Sequence, residues 1–377
     1  MEFRDLKQQY QIYKDEITCA VENVMEQGNF VSGIQVKELE EQLAEYVGCK
    51  YCITCANGTD ALSIALMVWN IGPGDAVFVP DFTFFSTAEV VSACGATPIF
   101  VDVNRDTFNI DCKKLEDAIQ SVICEGKLIP KVIIPVDLFG QPADYSAILD
   151  LAKKYKLFVL EDGAQGFGGM IGEKRACSFG DISTTSFFPA KPLGCYGDGG
   201  AIFTDNEEWM KIIRSICVHG KGSFKYDNVR IGVNSRLDTL QAAILKVKLR
   251  AFIKNELLSV NKAAAYYTEN LKDIVETPCV KDGYYSSWAQ YVIKLQDETS
   301  RNELQEKLKE KGIPTMVYYP KPLHYQEAFS NLEVNGDLEV TTKLSKIVLA
   351  LPMHPYLTIE DMDKVISGIK DYCISRG

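Results

Sequence analysis

Leu157-Phe158-Val159-Leu160-Glu161-Asp162-Gly163-Ala164-Gln165 runs from four apolar residues into two carboxylates and then into small residues. The apolar run shows no polar alternation, which predicts a strand buried on both faces of a largely parallel sheet. Ligands of such sheets bind beyond the carboxyl ends of the strands. Glu161 and Asp162 therefore stand where chemistry is expected. A buried carboxylate needs a cationic or donor partner. A protonated heterocycle nitrogen would serve, and so would water or the cap of the next helix. Gly166-x-Gly168 does not open a dinucleotide fingerprint, because the third glycine position falls on Ile171.

Outward from this strand the pattern repeats. Candidate strands at Tyr51–Thr54, Ala76–Val79, Thr97–Val101, Val132–Val136, Ile182–Ser186 and Ala201–Thr204 join Leu157–Leu160. Helical stretches at Gly58–Trp69, Ser86–Cys94, Cys112–Ile123 and Tyr145–Lys154 separate them. This alternation implies an α/β fold, an open sheet covered by helices. A long helix is expected over Leu237–Leu257, where Leu237, Leu240, Ile244, Val247 and Ala251 form one apolar stripe. Beyond it the expected elements are a strand at Tyr291–Leu295, a charged helix at Arg301–Lys311, a strand at Pro314–Tyr319 and a closing helix at Ile359–Ser375. The expected division is a large domain over 1–254 and a smaller α+β C-terminal domain over 255–377, with the N-terminal segment joining the small one.

Composition narrows the function classes. Of 377 residues 46% are hydrophobic and 24% charged, the proportions of a globular protein. Lys and Arg number 40 against 51 Asp and Glu, a net charge of -11 with no basic block, which argues against a nucleic-acid or anionic-membrane surface. Met1–Asp5 has neither a basic nor an apolar signal region, and no apolar run is long enough to span a bilayer. The expected location is cytoplasmic. Among twelve cysteines, Cys49-x-x-Cys52-x-x-Cys55 is the one cluster, and the next cysteine is Cys94. It reads as part of a buried strand, with no metal site.

Two more strand ends carry unusual residues. In Asn57-Gly58-Thr59-Asp60 a strand meets a helix start, where free N–H groups and the helix dipole seat a phosphate or simply make a capped turn. In Ser186-Phe187-Phe188-Pro189-Ala190-Lys191-Pro192 a lysine sits among apolar residues and prolines. Desolvation lowers an amine's pKa and makes it a nucleophile for carbonyls; a buried structural lysine is the plain alternative. A phosphate seat, an acid for a ring nitrogen and a Schiff-base lysine together match the needs of pyridoxal phosphate, PLP.

At this point the chain resembles the DegT/StrS-type nucleotide-sugar aminotransferases of PLP fold type I. The resemblance runs from Phe3-Arg4-Asp5-Leu6 to Leu351-Pro352-Met353-His354-Pro355. Asn57–Leu62, Glu161-Asp162 with Ala164-Gln165, Ser186–Pro189 with Lys191, Gly197–Ala201 and Gly232–Arg236 carry it. It implies a large, mostly parallel seven-stranded sheet domain with Lys191 as the lysine that carries the cofactor and then acts as acid and base. It implies further that Asp162 pairs with the ring nitrogen, that Gln165 bonds the ring hydroxyl, and that Gly58, Thr59 and Ser186 hold the phosphate. Phe84 would stack on the ring, with a core aromatic as the alternative. Asn234 would reach the phosphate of the neighbouring subunit in a homodimer. Arg236 stands near that entrance, facing a substrate carboxylate or a helix ion pair. Tyr319, His324 and Tyr325 match the segment lining the sugar pocket, and Gly28–Gly33 resembles a loop that closes over the substrate, with a helix-linking turn as the alternative.

The implied reaction takes an amino group from L-glutamate to a nucleotide-linked keto-sugar in two half-reactions. The runs around Lys191 and Asn234 look most like the subgroup that aminates C3 of UDP-2-acetamido-2-deoxy-3-oxo-glucuronate for bacterial surface polysaccharide. A dTDP-linked 3-keto- or 4-keto-6-deoxysugar is the alternative. PLP sugar dehydratases commonly replace the lysine with histidine, and a non-catalytic scaffold needs none of these residues.

Overall fold

The computed structural model describes residues 1–224, 226–333 and 336–374. Helices α1 (Leu6–Gln27) and α2 (Ile34–Val47) precede the sheet. Then β1 (Tyr51–Cys55), α3 (Gly58–Val68), β2 (Asp75–Pro80), α4 (Ser86–Ala93), β3 (Thr97–Val101), α5 (Cys112–Glu125), β4 (Ile129–Ile133), α6 (Tyr145–Tyr155) and β5 (Phe158–Asp162) alternate. A hairpin of β6 (Met170–Ile171) and β7 (Lys174–Arg175) leads to β8 (Ile182–Ser186) and β9 (Gly200–Thr204), followed by α7 (Glu207–Ile216). Seven strands form one sheet in the order β1-β9-β8-β5-β4-β2-β3. It is parallel except at β9, which runs against both neighbours.

Successive side chains of a strand face opposite sides of the sheet, and the apolar runs fill both. Val77, Val79, Val132, Leu160 and Ile182 join α3, α4 and α7 in one core. Phe78, Ile133 and Val159 join α5 and α6 in the other. This is why these strands read as continuous apolar runs.

Three expectations need correction. β4 lies at Ile129–Ile133, not Val132–Val136; its first residues are exposed or half-buried, and Pro135 has no N–H for the ladder. Val136 keeps an isolated bridge to Asp162. The long helix begins at Thr239 instead of Leu237: α8 (Thr239–Ala251) passes through a π-helical turn at Phe252–Glu256 into α9 (Leu257–Leu271). The residue 254/255 boundary falls inside that turn. Pro314–Tyr319 is no strand; bracketed by Pro314 and Pro320, it makes one bridge, Met316 to Ala350.

The remaining elements are β10 (Tyr284–Tyr285), which pairs with β6, then β11 (Tyr291–Lys294), α10 (Glu298–Glu310), α11 (Glu339–Ile347), β12 (Val348–Leu351) and α12 (Ile359–Ile374). Ser375, the expected end of the closing helix, lies outside the described residues. β11 and β12 pair antiparallel, and α9, α10 and α12 pack around them in a separate core. The N-terminal segment touches this region, with the Met353 N–H donating to the Phe3 carbonyl at 3.3 Å.

Candidate active site

The carboxyl ends of β1, β5 and β8 bring the predicted residues together. After β1 the Asn57 side chain accepts from the Asp60 N–H at 2.7 Å and starts α3 at Gly58. The first N–H groups of a helix have no partner within it, so this turn presents donors. Gly58 lies against Ser186 at the end of β8: a Cβ on Gly58 would meet the Ser186 Cβ at 2.8 Å. The Thr59 and Ser186 hydroxyls therefore border one turn, and Thr59 also meets the Ser86 hydroxyl at 2.7 Å.

At the end of β5 the two carboxylates part. Glu161 is buried and accepts from the Cys177, Phe179 and Gly180 N–H groups and the Ser183 hydroxyl, so it ties the β7–β8 connection to the sheet. Asp162 is buried too, but among the described residues it accepts only from the Thr87 hydroxyl, at 2.9 Å, and the Ala164 N–H, at 3.2 Å. Burial raises its pKa, against the bonds from Thr87 and Ala164 and the charge of Lys191. Neither donor is a cation. Gln165 accepts from the Phe139 N–H at 2.9 Å and donates to the Tyr319 hydroxyl at 3.0 Å, so Tyr319 is joined to the sheet through it. Gly166 is a packing glycine, since a Cβ there would meet the Asp137 Cβ at 2.4 Å.

Lys191 lies in the loop between β8 and β9, partly buried. Its N–H donates to the Phe188 carbonyl at 2.8 Å. Burial lowers the pKa of its amine; Asp162 pulls it up, and Arg4 pushes it further down. A weakly basic amine beside a carboxylate without a hydrogen-bonded cation can attack a carbonyl and carry a proton.

The other candidates are less uniform. Phe84 is 55% exposed, whereas Phe82 beside it is buried, so Phe84 is not a core aromatic. The His324 ring is buried, with Nδ1 2.5 Å from Asp81 and Tyr325 packed on it at 4.0 Å. Asn234 is exposed. The next residue, Ser235, accepts from the Ala56 N–H at 3.0 Å, which sets this segment beside the β1–α3 turn. Arg236 is half-buried and forms no ion pair among the described residues. The Gly28–Gly33 loop is fastened to the start of α8, where Thr239 accepts from the Gly33 N–H and donates its own to the Phe30 carbonyl. Thr87 and Arg4 were not anticipated as site residues, although Arg4 stands in the Phe3–Leu6 stretch where the resemblance begins; both act across long stretches of chain.

This fold and donor set fit a pyridoxal-phosphate-dependent transferase, whose carbonyl, ring nitrogen and phosphate would call for an amine, a buried acid without a cation and a hydroxyl-lined helix start. The model of the DegT/DnrJ/EryC1/StrS aminotransferase family matches residues 11–370. The chain is 46% identical over 358 residues to the UDP-2-acetamido-2-deoxy-3-oxo-D-glucuronate aminotransferase of Pseudomonas aeruginosa, covering 95% of this chain and 96% of the relative. A crystal structure of a DegT DnrJ EryC1 StrS aminotransferase from Brucella abortus superposes with a TM-score of 0.97 at 47% identity over 99% of both chains. NtdA from Bacillus subtilis, solved with bound cofactor PMP, superposes with a TM-score of 0.88 at 32% identity over 99% of this chain and 83% of that one. The chain belongs to the DegT/DnrJ/EryC1/StrS aminotransferase family and is a PLP-dependent aminotransferase. No helix among its described residues is long and apolar enough to cross a membrane.

Proposed function

We propose that the enzyme moves an amino group from L-glutamate to C3 of UDP-2-acetamido-2-deoxy-3-oxo-glucuronate, in assembly of the O-antigen of bacterial lipopolysaccharide. The Pseudomonas aeruginosa relative, named for that substrate, supports the choice of sugar. The site is supported by the packing of Gly58 on Ser186 at the end of β8 and by the buried Asp162, whose charge reaches the Lys191 amine from the end of the neighbouring β5.

When bound, PLP supplies a carbonyl for amines and a ring that withdraws electrons. Lys191 would hold that carbonyl and would serve as the base that moves a proton at the substrate's α-carbon; its burial, which weakens its grip on a proton, suits both tasks. Asp162 would keep a proton on the ring nitrogen, Gln165 would hold the ring hydroxyl, and Phe84 would stack on the ring. Gly58, Thr59 and Ser186 hold the phosphate. Asn234 reaches the partner's phosphate in a homodimer, and Arg236 lies at that entrance. Tyr319, His324 and Tyr325 line the sugar side. The exposed apolar side chains of Phe224, Tyr226 and Ile231, the last 86% exposed, support a partner surface close to Asn234 in sequence. Residues 1–254 then form the cofactor-binding domain and 255–377 the small domain, and twelve free thiols suit a cytoplasmic enzyme.

An absorbance spectrum tests this reading. A band near roughly 410–430 nm that moves toward about 330 nm on addition of L-glutamate is expected, and the keto-sugar should bring it back. A band that glutamate leaves in place removes glutamate as donor. A protein without a band after PLP is added removes Lys191 from its role.

A further inference from the structure

The loop that carries Lys191 is gripped by a side chain from the other end of the chain. Arg4 Nη2 donates to the Lys191 carbonyl at 2.5 Å and to the Pro192 carbonyl at 3.3 Å. With the Lys191 N–H already given to Phe188, the main chain is held on both sides of the lysine. Arg4 makes no salt bridge among the described residues; the carboxylate whose charge reaches it is Glu256, in the π-helical turn. Glu256 is buried and accepts from Gln9 Nε2 at 3.1 Å and from the Tyr356 hydroxyl. A second buried cation, Lys248 of α8, lies over the Tyr196 ring at 4.5 Å and also feels the charges of Arg4 and Glu256. Arg4 and Lys248 thus both feel the charge of one carboxylate, Glu256.

We propose that Arg4 is a positioning residue for Lys191, fixing the lysine's main chain through two carbonyls and presenting a positive charge to an amine that Asp162 attracts. The inference rests on Lys191 being the lysine that holds the cofactor. The charged and titratable groups concerned come from every element around the pair: Asp162 of β5 and Arg4 face Lys191, while Glu256, Tyr356, Lys248 and His354 face Arg4. A neighbouring positive charge disfavours protonation of an amine, so removing it makes the amine more basic. The small-domain residue Tyr356 and the N-terminal Gln9 both hold Glu256, so the grip on Lys191 joins the two ends of the chain to the π turn.

The test is a pH titration of the visible band of the PLP-loaded protein, without substrate, for wild type, Arg4→Gln, Arg4→Lys and Glu256→Gln. Arg4→Gln should raise the midpoint by about half a unit to one unit, and Arg4→Lys should return it most of the way to wild type. Glu256→Gln, which leaves Arg4 unbalanced, should lower it. Trace acetylation of the cofactor-free protein, read at Lys191, should show the same order without any cofactor. Midpoints that coincide in all four proteins overturn the role of Arg4. Should Arg4→Gln not fold, an unmoved midpoint in Glu256→Gln overturns it equally. A wild-type protein without a visible band overturns the assignment of Lys191 and this inference with it, so the two failures are told apart.

Discussion

Asp162 receives two hydrogen bonds, from the Thr87 hydroxyl and the Ala164 N–H, and neither donor is charged. Burial raises its pKa, and a protonated ring nitrogen would reverse that shift by supplying the missing cation. Thr87 is fully buried at the start of α4, so Thr87→Val keeps the shape and deletes one donor. A hydrogen bond to a charged group contributes about 1.5–3 kcal/mol, so PLP affinity should fall about ten- to hundredfold. The sign with pH follows. Binding favours the ionised carboxyl, so affinity rises as pH climbs through its pKa, and the variant's rise should lie at higher pH than that of wild type. PLP titrations at several pH values check this, and affinities within twofold of wild type would sink it. The positions of Asp162, Gly58, Ser186 and Lys191 beyond strand ends were legible because a carboxylate pair, an Asn-Gly turn and a lysine between prolines break the pattern of the strands before them. Thr87 and Arg4 were not, because their partners lie 75 and 187 residues away and nothing local records the contact.

Helix α8 shows the same limit at the scale of an element. Its stripe was readable, and Ile244, Val247 and Ala251 are buried as the spacing predicts. Lys248 is buried among them, 2% exposed, although a lysine in a helical pattern reads as solvated. Desolvation, aided by the charge of Arg4, lowers its pKa to about 7. Its folded pKa lies below the unfolded one, so between pH about 7 and about 10.5 the unfolded chain binds the extra proton and stability rises with pH. The cost is fully present below pH 7 and gone above about 10.5. Lys248→Met should therefore stabilise the protein by at most about 5 kcal/mol near neutral pH, with the gain fading as pH rises toward 10.5. Thermal melts of both proteins across that range test it; a gain independent of pH would mean packing, not titration, is responsible. The π turn after α8 was hidden because Phe252-Ile253-Lys254-Asn255-Glu256 contains no helix breaker. β12 was hidden because Val348–Leu351 follows α11 without a turn residue. Continuous apolar runs announced the large sheet and β11 of the small one, while β12, equally apolar, was masked by the helix it follows.

For the whole molecule the decisive question is whether one chain builds a complete site. The described chain brings Lys191, Asp162, Gln165, Gly58 and Ser186 to one sheet end, yet Asn234 is exposed. Large apolar side chains of the preceding segment, Phe224, Tyr226 and Ile231, are exposed as well. A twofold dimer would cover that surface with the same surface of a second copy and would give each Asn234 to the other's phosphate. The consequence is quantitative. Lys191→Ala and Asn234→Ala proteins should each be inactive or nearly so. When the two are unfolded, mixed in equal amounts and refolded, about half the dimers are mixed, and each mixed dimer has one site carrying both substitutions and one carrying neither. Activity should return to about a quarter of wild type. If mixed dimers are recovered with two different affinity tags and remain inactive, Asn234 serves its own chain's site, and the dimer is not needed to complete the chemistry. Recovery near the expected quarter would mean that the family's motif around Asn234 is read across a subunit boundary, which no single chain displays.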